Sequence, residues 1–187
     1  MTIPILLLLL LVGLIGVGGL GLMATYNGLV TLRQTVKNAW AQIDVQLKRR
    51  HDLIPNLVNT VKGYAAHEKE TFERVINARA KATSATSPAE VIKAEGELSS
   101  ALARLLAVSE SYPELKANQN FLSLQEELTS TENRVAYARQ FYNDSVTRLN
   151  TRIQTFPTVV IAGMFGFKEE PFFETPSEEK EAPRVQF

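Results

Sequence analysis

Residues 3–24 read IPILLLLLLVGLIGVGGLGLMA and contain no charged side chain. A helix rises about 1.5 Å per residue, so this stretch reaches roughly 30 Å, the thickness of the hydrocarbon core of a bilayer. The stretch predicts a membrane-spanning helix, and we assign residues 1–25 to a transmembrane anchor. The lipid bilayer is therefore the first partner that the sequence predicts.

A cleaved signal peptide is the alternative interpretation of this start. Signal peptides open with a charged region and have a shorter apolar core of about 7–15 residues. Neither feature is present, and the small residue that could mark a cleavage site, Ala24, follows the bulky Leu22 by two positions. The pattern favours a retained anchor, and the absence of cysteine excludes a lipid-modified one.

The positive charges lie after the apolar stretch. Arg33 and Lys37 follow it closely and more cations come later, whereas only the terminal amine precedes it. An excess of Lys and Arg marks the cytoplasmic side of a span. We expect the N-terminus outside and the rest of the chain in the cytoplasm, a compartment with which the lack of cysteine is compatible.

The zero net charge of the whole chain conceals a division. Residues 169–187 carry six glutamates against Lys180 and Arg184, which gives the tail a charge of −4 and the rest of the chain +4. Nucleic-acid surfaces show a clustered basic stripe and a high pI, so no nucleic-acid partner is predicted. We expect the acidic, proline-containing tail to be disordered. Residues 26–168 remain for one helical domain with a core.

This middle region is rich in helix-forming residues and poor in proline and glycine. Ser87 followed by Pro88 and Glu90 has the form of a helix N-cap with proline at the first helical position. Apolar residues recur at spacings of three and four. Four helices are predicted: Leu29–Arg50, Leu53–Thr83, Pro88–Ser111 and Ala117–Thr155.

The first two of these helices are separated because an apolar row lapses at Arg50. Pro55 lies just beyond the lapse. We expect a break from Arg50 to Leu53, with Asp52 capping the next helix and Pro55 in its first turn, where the missing N–H is not needed.

Short connections between these helices favour antiparallel neighbours. The predicted fold is all-α, with the transmembrane helix continuing into an antiparallel up-down four-helix bundle. Six side chains are predicted to be buried between the helices: Trp40, Ile43, Leu47, Leu124, Leu128 and Val135.

Two apolar segments are candidate interaction surfaces. Four passes return the chain to the bilayer, so residues 156–167, too short to span it, should form an interaction or membrane-contact surface. The alternative is that this segment folds back as a cap on the bundle. The chain also finishes on an apolar-x-apolar form that strand-adding grooves can capture. The candidate residues are Val159, Val160, Ile161, Met164 and Phe165 in the first segment, and Val185 and Phe187 in the second.

Three long segments resemble the LemA family. They are NAWAQIDVQLKRRHDLIPNLVNTVKGYAAHE from Asn38, YPELKANQNFLSLQEELTSTENRVAYARQFYND from Tyr112 and FPTVVIAGMFGF from Phe156. The resemblance implies a bacterial inner-membrane protein with a short outer N-terminus, one span and a cytoplasmic helical domain. It implies no reaction. Genes of this family often neighbour those of membrane zinc proteases, which suggests such a protease as a partner.

Residues that could support catalysis are few. The chain has two histidines, in the pairs His51–Asp52 and His67–Glu68, and neither pair has the HExxH spacing that places two imidazoles around zinc. Phosphate-binding glycine loops and GxSxG motifs are absent from the sequence. We predict neither a catalytic residue nor a cofactor nor a metal ligand.

Several polar residues adjoin the apolar rows of the first and last helices. Buried polar contacts fix register in helical bundles, and this explanation is favoured over a ligand site. The residues are Gln42, Asp44, Gln46, Glu132 and Arg134.

The predicted function is that of a non-enzymatic scaffold or adaptor that binds other membrane proteins or copies of itself. The alternative is a ligand-sensing or metal-binding bundle that uses its histidine and acidic side chains.

Overall fold

The computed structural model describes residues 2–173 of the chain. Over these residues the structure is helical and contains no strand, which confirms the predicted all-α class. The helices are α1 Thr2–Lys62, α2 Lys69–Ser84, α3 Pro88–Ser109, α4 Pro113–Lys116, α5 Gln119–Gln154 and α6 Thr158–Met164.

The apolar start of the chain forms the first part of α1. Its large apolar side chains, from Ile5 to Met23, are exposed. Within residues 2–173, α1 is the one helix long and apolar enough to cross a membrane, judged by length and composition. This agrees with the predicted anchor.

The helices belong to two compact units. The first unit joins residues up to 40 with residues 141–172. These two segments of the chain run in opposite directions, because the Trp40 ring lies 5.3 Å from the Tyr142 ring while the Tyr26 ring lies 4.9 Å from that of Phe165, after α6. Buried side chains from α1 and α5 form the interior of this unit: Leu29, Val36, Ala39, Val146, Leu149 and Ile153.

The second unit comprises residues 41–140 together with Phe173. Its core draws on α1 to α5 and includes Ile54, Leu57, Phe72, Val75, Leu98, Leu105, Leu115, Phe121 and Leu128. α2 and α3 form a helical hairpin in which Lys81 pairs with Glu97 at 2.8 Å. The turn before α3 is closed by a capping box, in which Ser87 Oγ accepts from the Glu90 N–H and Glu90 accepts from the Ser87 N–H. This confirms the predicted N-cap.

The predicted break between Arg50 and Leu53 is wrong. α1 continues through Pro55 to Lys62 and ends at a turn over residues 63–68. Pro55 lacks an N–H, so the carbonyl of His51, four residues earlier, loses its helical partner. Arg79 of α2 replaces that partner, since its Nε donates to the His51 carbonyl at 2.7 Å. A partner from another helix therefore lets the proline remain inside α1.

Four of the six predicted core residues are buried, namely Ile43, Leu47, Leu128 and Val135. Trp40 and Leu124 are partly exposed. The apolar rows of the sequence thus identify the inner faces of the helices, although not how deeply each side chain is covered.

Candidate functional site

Charged side chains are buried at the centre of the second unit. The Arg50 side chain of α1 and Glu95 of α3 are both almost completely buried, and they pair at 3.0 Å between Nη1 and Oε2. Arg50 Nη2 also donates to Ser99 Oγ at 2.8 Å and to Glu132 Oε1 of α5 at 2.9 Å. One guanidinium therefore bonds α1 to both α3 and α5.

His51 completes this group, because its Nε2 lies 2.6 Å from the second oxygen of Glu95. We name Arg50, His51, Glu95, Ser99 and Glu132 the Arg50 cluster. The two oxygens of Glu95 are thus each bonded to a neighbouring residue of α1. The cluster explains the lapse in the apolar row, since Arg50 occupies a core position and is paired there.

Most side-chain polar atoms of the Arg50 cluster bond to one another. Among the residues that the structure describes, Arg50 Nε and Glu132 Oε2 are its buried polar atoms without a hydrogen-bond partner. In residues 2–173, no group of three or more His, Asp and Glu side chains is placed to hold a metal ion. The bonds of Arg50 connect three helices, and buried polar contacts of this kind can fix the register of a helical bundle.

Two open clefts adjoin the cluster. The first cleft has a volume of about 370 Å³, and its lining includes Lys48, His51 and Arg79. The second has a volume of about 320 Å³, and its lining includes Arg50 and Glu132. Asp44 also lines the first cleft, where partial burial of its carboxyl raises the pKa above the ordinary value. Both clefts are open to solvent, and their charged groups carry both signs.

The polar residues that the sequence singled out have different positions. Glu132 belongs to the Arg50 cluster, while Gln42, Asp44 and Arg134 are exposed. Gln46 is partly exposed, with Oε1 buried and without a partner in the described part of the chain. His67 of the second predicted pair is exposed.

The second candidate site is α6. Its residues Val159, Val160 and Met164 and the following Phe165 are between 43% and 71% exposed. Ile161, the fifth candidate residue of this segment, is instead buried together with Thr158 and Ala162. These three residues share one face at helical spacing, and that face rests on the first unit.

An aromatic group holds the end of α6 against α1. The Tyr26 ring lies 4.9 Å from the Phe165 ring and 5.8 Å from that of Phe167, and the Arg33 guanidinium stands 5.0 Å over the Phe167 ring. Gly166 makes this possible, since the turn between the two phenylalanines has a φ of 69°, which favours glycine.

The chain beyond α6 is bonded to α5. The Asn150 side chain exchanges hydrogen bonds with the backbone of Glu170, at 2.9 and 3.0 Å. The Tyr142 hydroxyl donates to the Pro171 carbonyl at 2.9 Å, and burial and then the Glu170 carboxylate raise the pKa of this phenol. The predicted docking residues Val185 and Phe187 lie outside the described residues.

Sequence reasoning missed Glu95, Ser99, Tyr26, Arg33 and Phe167. A signal for Glu95 was present, because it occupies a place in the α3 row between Val91 and Leu98 where an apolar residue is expected. The pairing of Glu95 with Arg50 could not be predicted, because the sequence does not show which helices are neighbours.

A bilayer-length apolar helix joined to a helical domain defines a class, the membrane-associated helical proteins. The sequence profile of the LemA family matches residues 39–187, and the chain belongs to this family. Protein LemA of Metamycoplasma hominis is 28% identical over 140 residues, which cover 73% of this chain and 63% of that protein.

The chain is also similar to magnetosome proteins. Magnetosome protein MamQ 1 of Paramagnetospirillum magneticum is 25% identical over 179 residues, covering 82% of this chain and 66% of the relative. MamQ of Magnetospirillum gryphiswaldense is 25% identical over 178 residues, covering 81% and 65%. The chain therefore spans just under two thirds of the length of these relatives.

Proposed function

We propose that this protein is a non-enzymatic scaffold or adaptor of a bacterial inner membrane. Its domain binds other membrane proteins, such as the zinc protease that the family resemblance suggests, or further copies of itself. The N-terminus lies outside and the domain lies in the cytoplasm, in accord with the cations that follow the span.

The observation that carries this proposal is the distribution of polar and apolar side chains in the second unit. Its buried charges bond to one another within the Arg50 cluster. Large apolar side chains lie instead on its surface, where Val45 is 64% exposed and Tyr137 is 73% exposed. Exposed aromatic side chains are enriched at protein interfaces, whereas an enzyme needs placed acids, bases or metals.

Photocrosslinking in intact membranes tests the binding role. A photoreactive phenylalanine derivative replaces Tyr137 on α5, and the same residue replaces the exposed Glu73 on α2 as a matched control. We expect discrete adducts from position 137 with a membrane protein or with a differently tagged copy, and far fewer from position 73. Equal yields from the two positions would contradict a binding surface on α5.

Cysteine labelling tests the orientation. The chain has no natural cysteine, so Thr2→Cys and the exposed Ala80→Cys of α2 each provide a unique thiol. A membrane-impermeant maleimide should label position 2 in intact cells and position 80 only after lysis. Labelling of position 80 in intact cells would show that the orientation is the opposite of the proposed one. Carbonate washing of membranes tests the anchor, and release of the protein by this treatment would contradict a membrane-spanning helix.

A further inference from the structure

We propose that α6 lies in the headgroup region of the bilayer that α1 crosses, with Val159, Val160, Met164 and Phe165 in contact with lipid. We name these four residues the α6 lipid face. The inference rests on the membrane anchoring within the proposed function and adds a second contact with the same bilayer.

The depth of α6 follows from its contact with α1. Tyr26 lies two residues, about 3 Å of helical rise, beyond Ala24, the last residue of the apolar stretch before the polar Thr25. The headgroup region extends roughly 5 to 7 Å from the hydrocarbon core, so it includes Tyr26. Since the Phe165 ring centroid is only 4.9 Å from that of Tyr26, the end of α6 lies at a similar level.

The composition of α6 agrees with this depth. No charged residue occurs from Ile153 to Phe167, while Arg152 and Lys168 stand at the two ends of that stretch. Apart from Thr158 in its first turn, α6 is apolar on its covered face, at Ile161 and Ala162, and also on its open face. A helix that is apolar all round is typical of a buried or a lipid-embedded position.

The residues around α6 are of the types found where a protein meets headgroups. Tyrosine is enriched at membrane interfaces, and Tyr26 has that position here. Arg33 is exposed next to this aromatic group, where its charge can attract anionic headgroups. The residues around α6 thus provide an apolar surface and a cation on the side of the span that carries the domain.

The test uses the full-length protein reconstituted alone, one copy per nanodisc, in equal parts of phosphatidylcholine and phosphatidylglycerol. An environment-sensitive fluorophore is attached at Met164→Cys, a side chain that is 71% exposed and so tolerates replacement. The matched control is Ile76→Cys on α2, 55% exposed. Leu22→Cys, within the span, shows the response expected in lipid.

We expect blue-shifted emission from the probe at position 164 and a loss of emission when the lipids carry a spin label near the headgroup. The probe at position 76 should show neither effect. Val160→Cys, on the same open face of α6, should repeat the result of position 164.

Two results would overturn the inference. One is a water-like, unquenched probe at positions 164 and 160 while position 22 is quenched. The other is protection that appears only when several copies share a disc, which would make a second copy the occupant of this face. Because only lipid and this chain are present, the outcome is independent of whether crosslinking at position 137 finds a protein partner.

Discussion

The Arg50 cluster and the α6 lipid face depart from the usual distribution of side chains in opposite directions. At the first, charged residues occupy core positions; at the second, apolar residues lie open. The charges of the first are compensated inside the chain, because Glu95 and Glu132 both bond to Arg50. Within residues 2–173, the four side chains of the second remain between 43% and 71% exposed. A charged residue in the core has a structural role when its bonding partners belong to the same chain. An exposed group of apolar residues without such partners indicates contact with lipid or another molecule.

Removing the buried carboxylate at the centre of the first region should have the largest effect. Glu95→Ala leaves the Arg50 guanidinium buried with only Ser99 and Glu132, and we expect a loss of about 3–5 kcal/mol in the free energy of unfolding. The matched control is Glu97→Ala in the same helix, whose exposed pair with Lys81 should contribute at most about 1 kcal/mol. Urea unfolding of the detergent-solubilised protein, followed by far-UV circular dichroism, measures both. Equal losses would show that the Arg50 cluster is not a buried ion-pair network.

An apolar core residue provides a reference for the stability loss expected from Glu95→Ala. Leu128→Ala on α5 removes a side chain that is 6% exposed, and should cost about 2–5 kcal/mol. Leu122→Ala on the same helix removes one that is 49% exposed and should change the stability by no more than about 0.5 kcal/mol. The same urea titration applies. A small effect at position 128 would mean that the inner face of α5 is wrongly assigned.

The sequence was sufficient for much of this fold. Helical composition and apolar spacing predicted the all-α class and core positions such as Ile43 and Val135, and the order of Ser87, Pro88 and Glu90 predicted the α3 cap. These features depend on residues close together in the chain. The break at Arg50 was wrong because a local rule was applied to a position where the decisive contacts, from Arg79 and Glu95, come from other helices.

The candidate sites also combine features that can be predicted from neighbouring residues with contacts between residues far apart in the chain. The apolar character of residues 156–167 can be seen in the sequence. The burial of Ile161 and the contact of Phe165 with Tyr26 could not be predicted, since they depend on how α6 meets a helix more than a hundred positions earlier.

The contact between Arg79 and the His51 carbonyl can be tested for its role in compensating for Pro55 inside α1. Arg79→Ala removes the donor to the His51 carbonyl and should cost about 1–3 kcal/mol, because that carbonyl then has no partner. Pro55→Ala restores a backbone N–H that can bond to the same carbonyl. In the Pro55→Ala background we therefore expect Arg79→Ala to cost less. A double-mutant cycle of urea unfolding measures the difference, and strict additivity would show that Arg79 does not compensate for Pro55.

The smallest effect should come from Glu90, an exposed charge that sharpens the contrast with the Arg50 cluster. Hydrogen bonds from the backbone N–H groups of Ser87 and Thr86 hold the pKa of the Glu90 carboxyl below its usual 4.5. Ionised Glu90 therefore favours the folded state, so its contribution is fully present above pH 4.5 and is lost as the pH falls through the lower folded-state pKa. Glu90→Gln should flatten the acid side of the pH–stability curve, whereas Glu73→Gln, a change at an exposed site on α2, should not reproduce that flattening. Urea titrations at several acidic pH values measure the slopes, and an unchanged slope in Glu90→Gln would mean that the capping box is not a charge-assisted contact in solution.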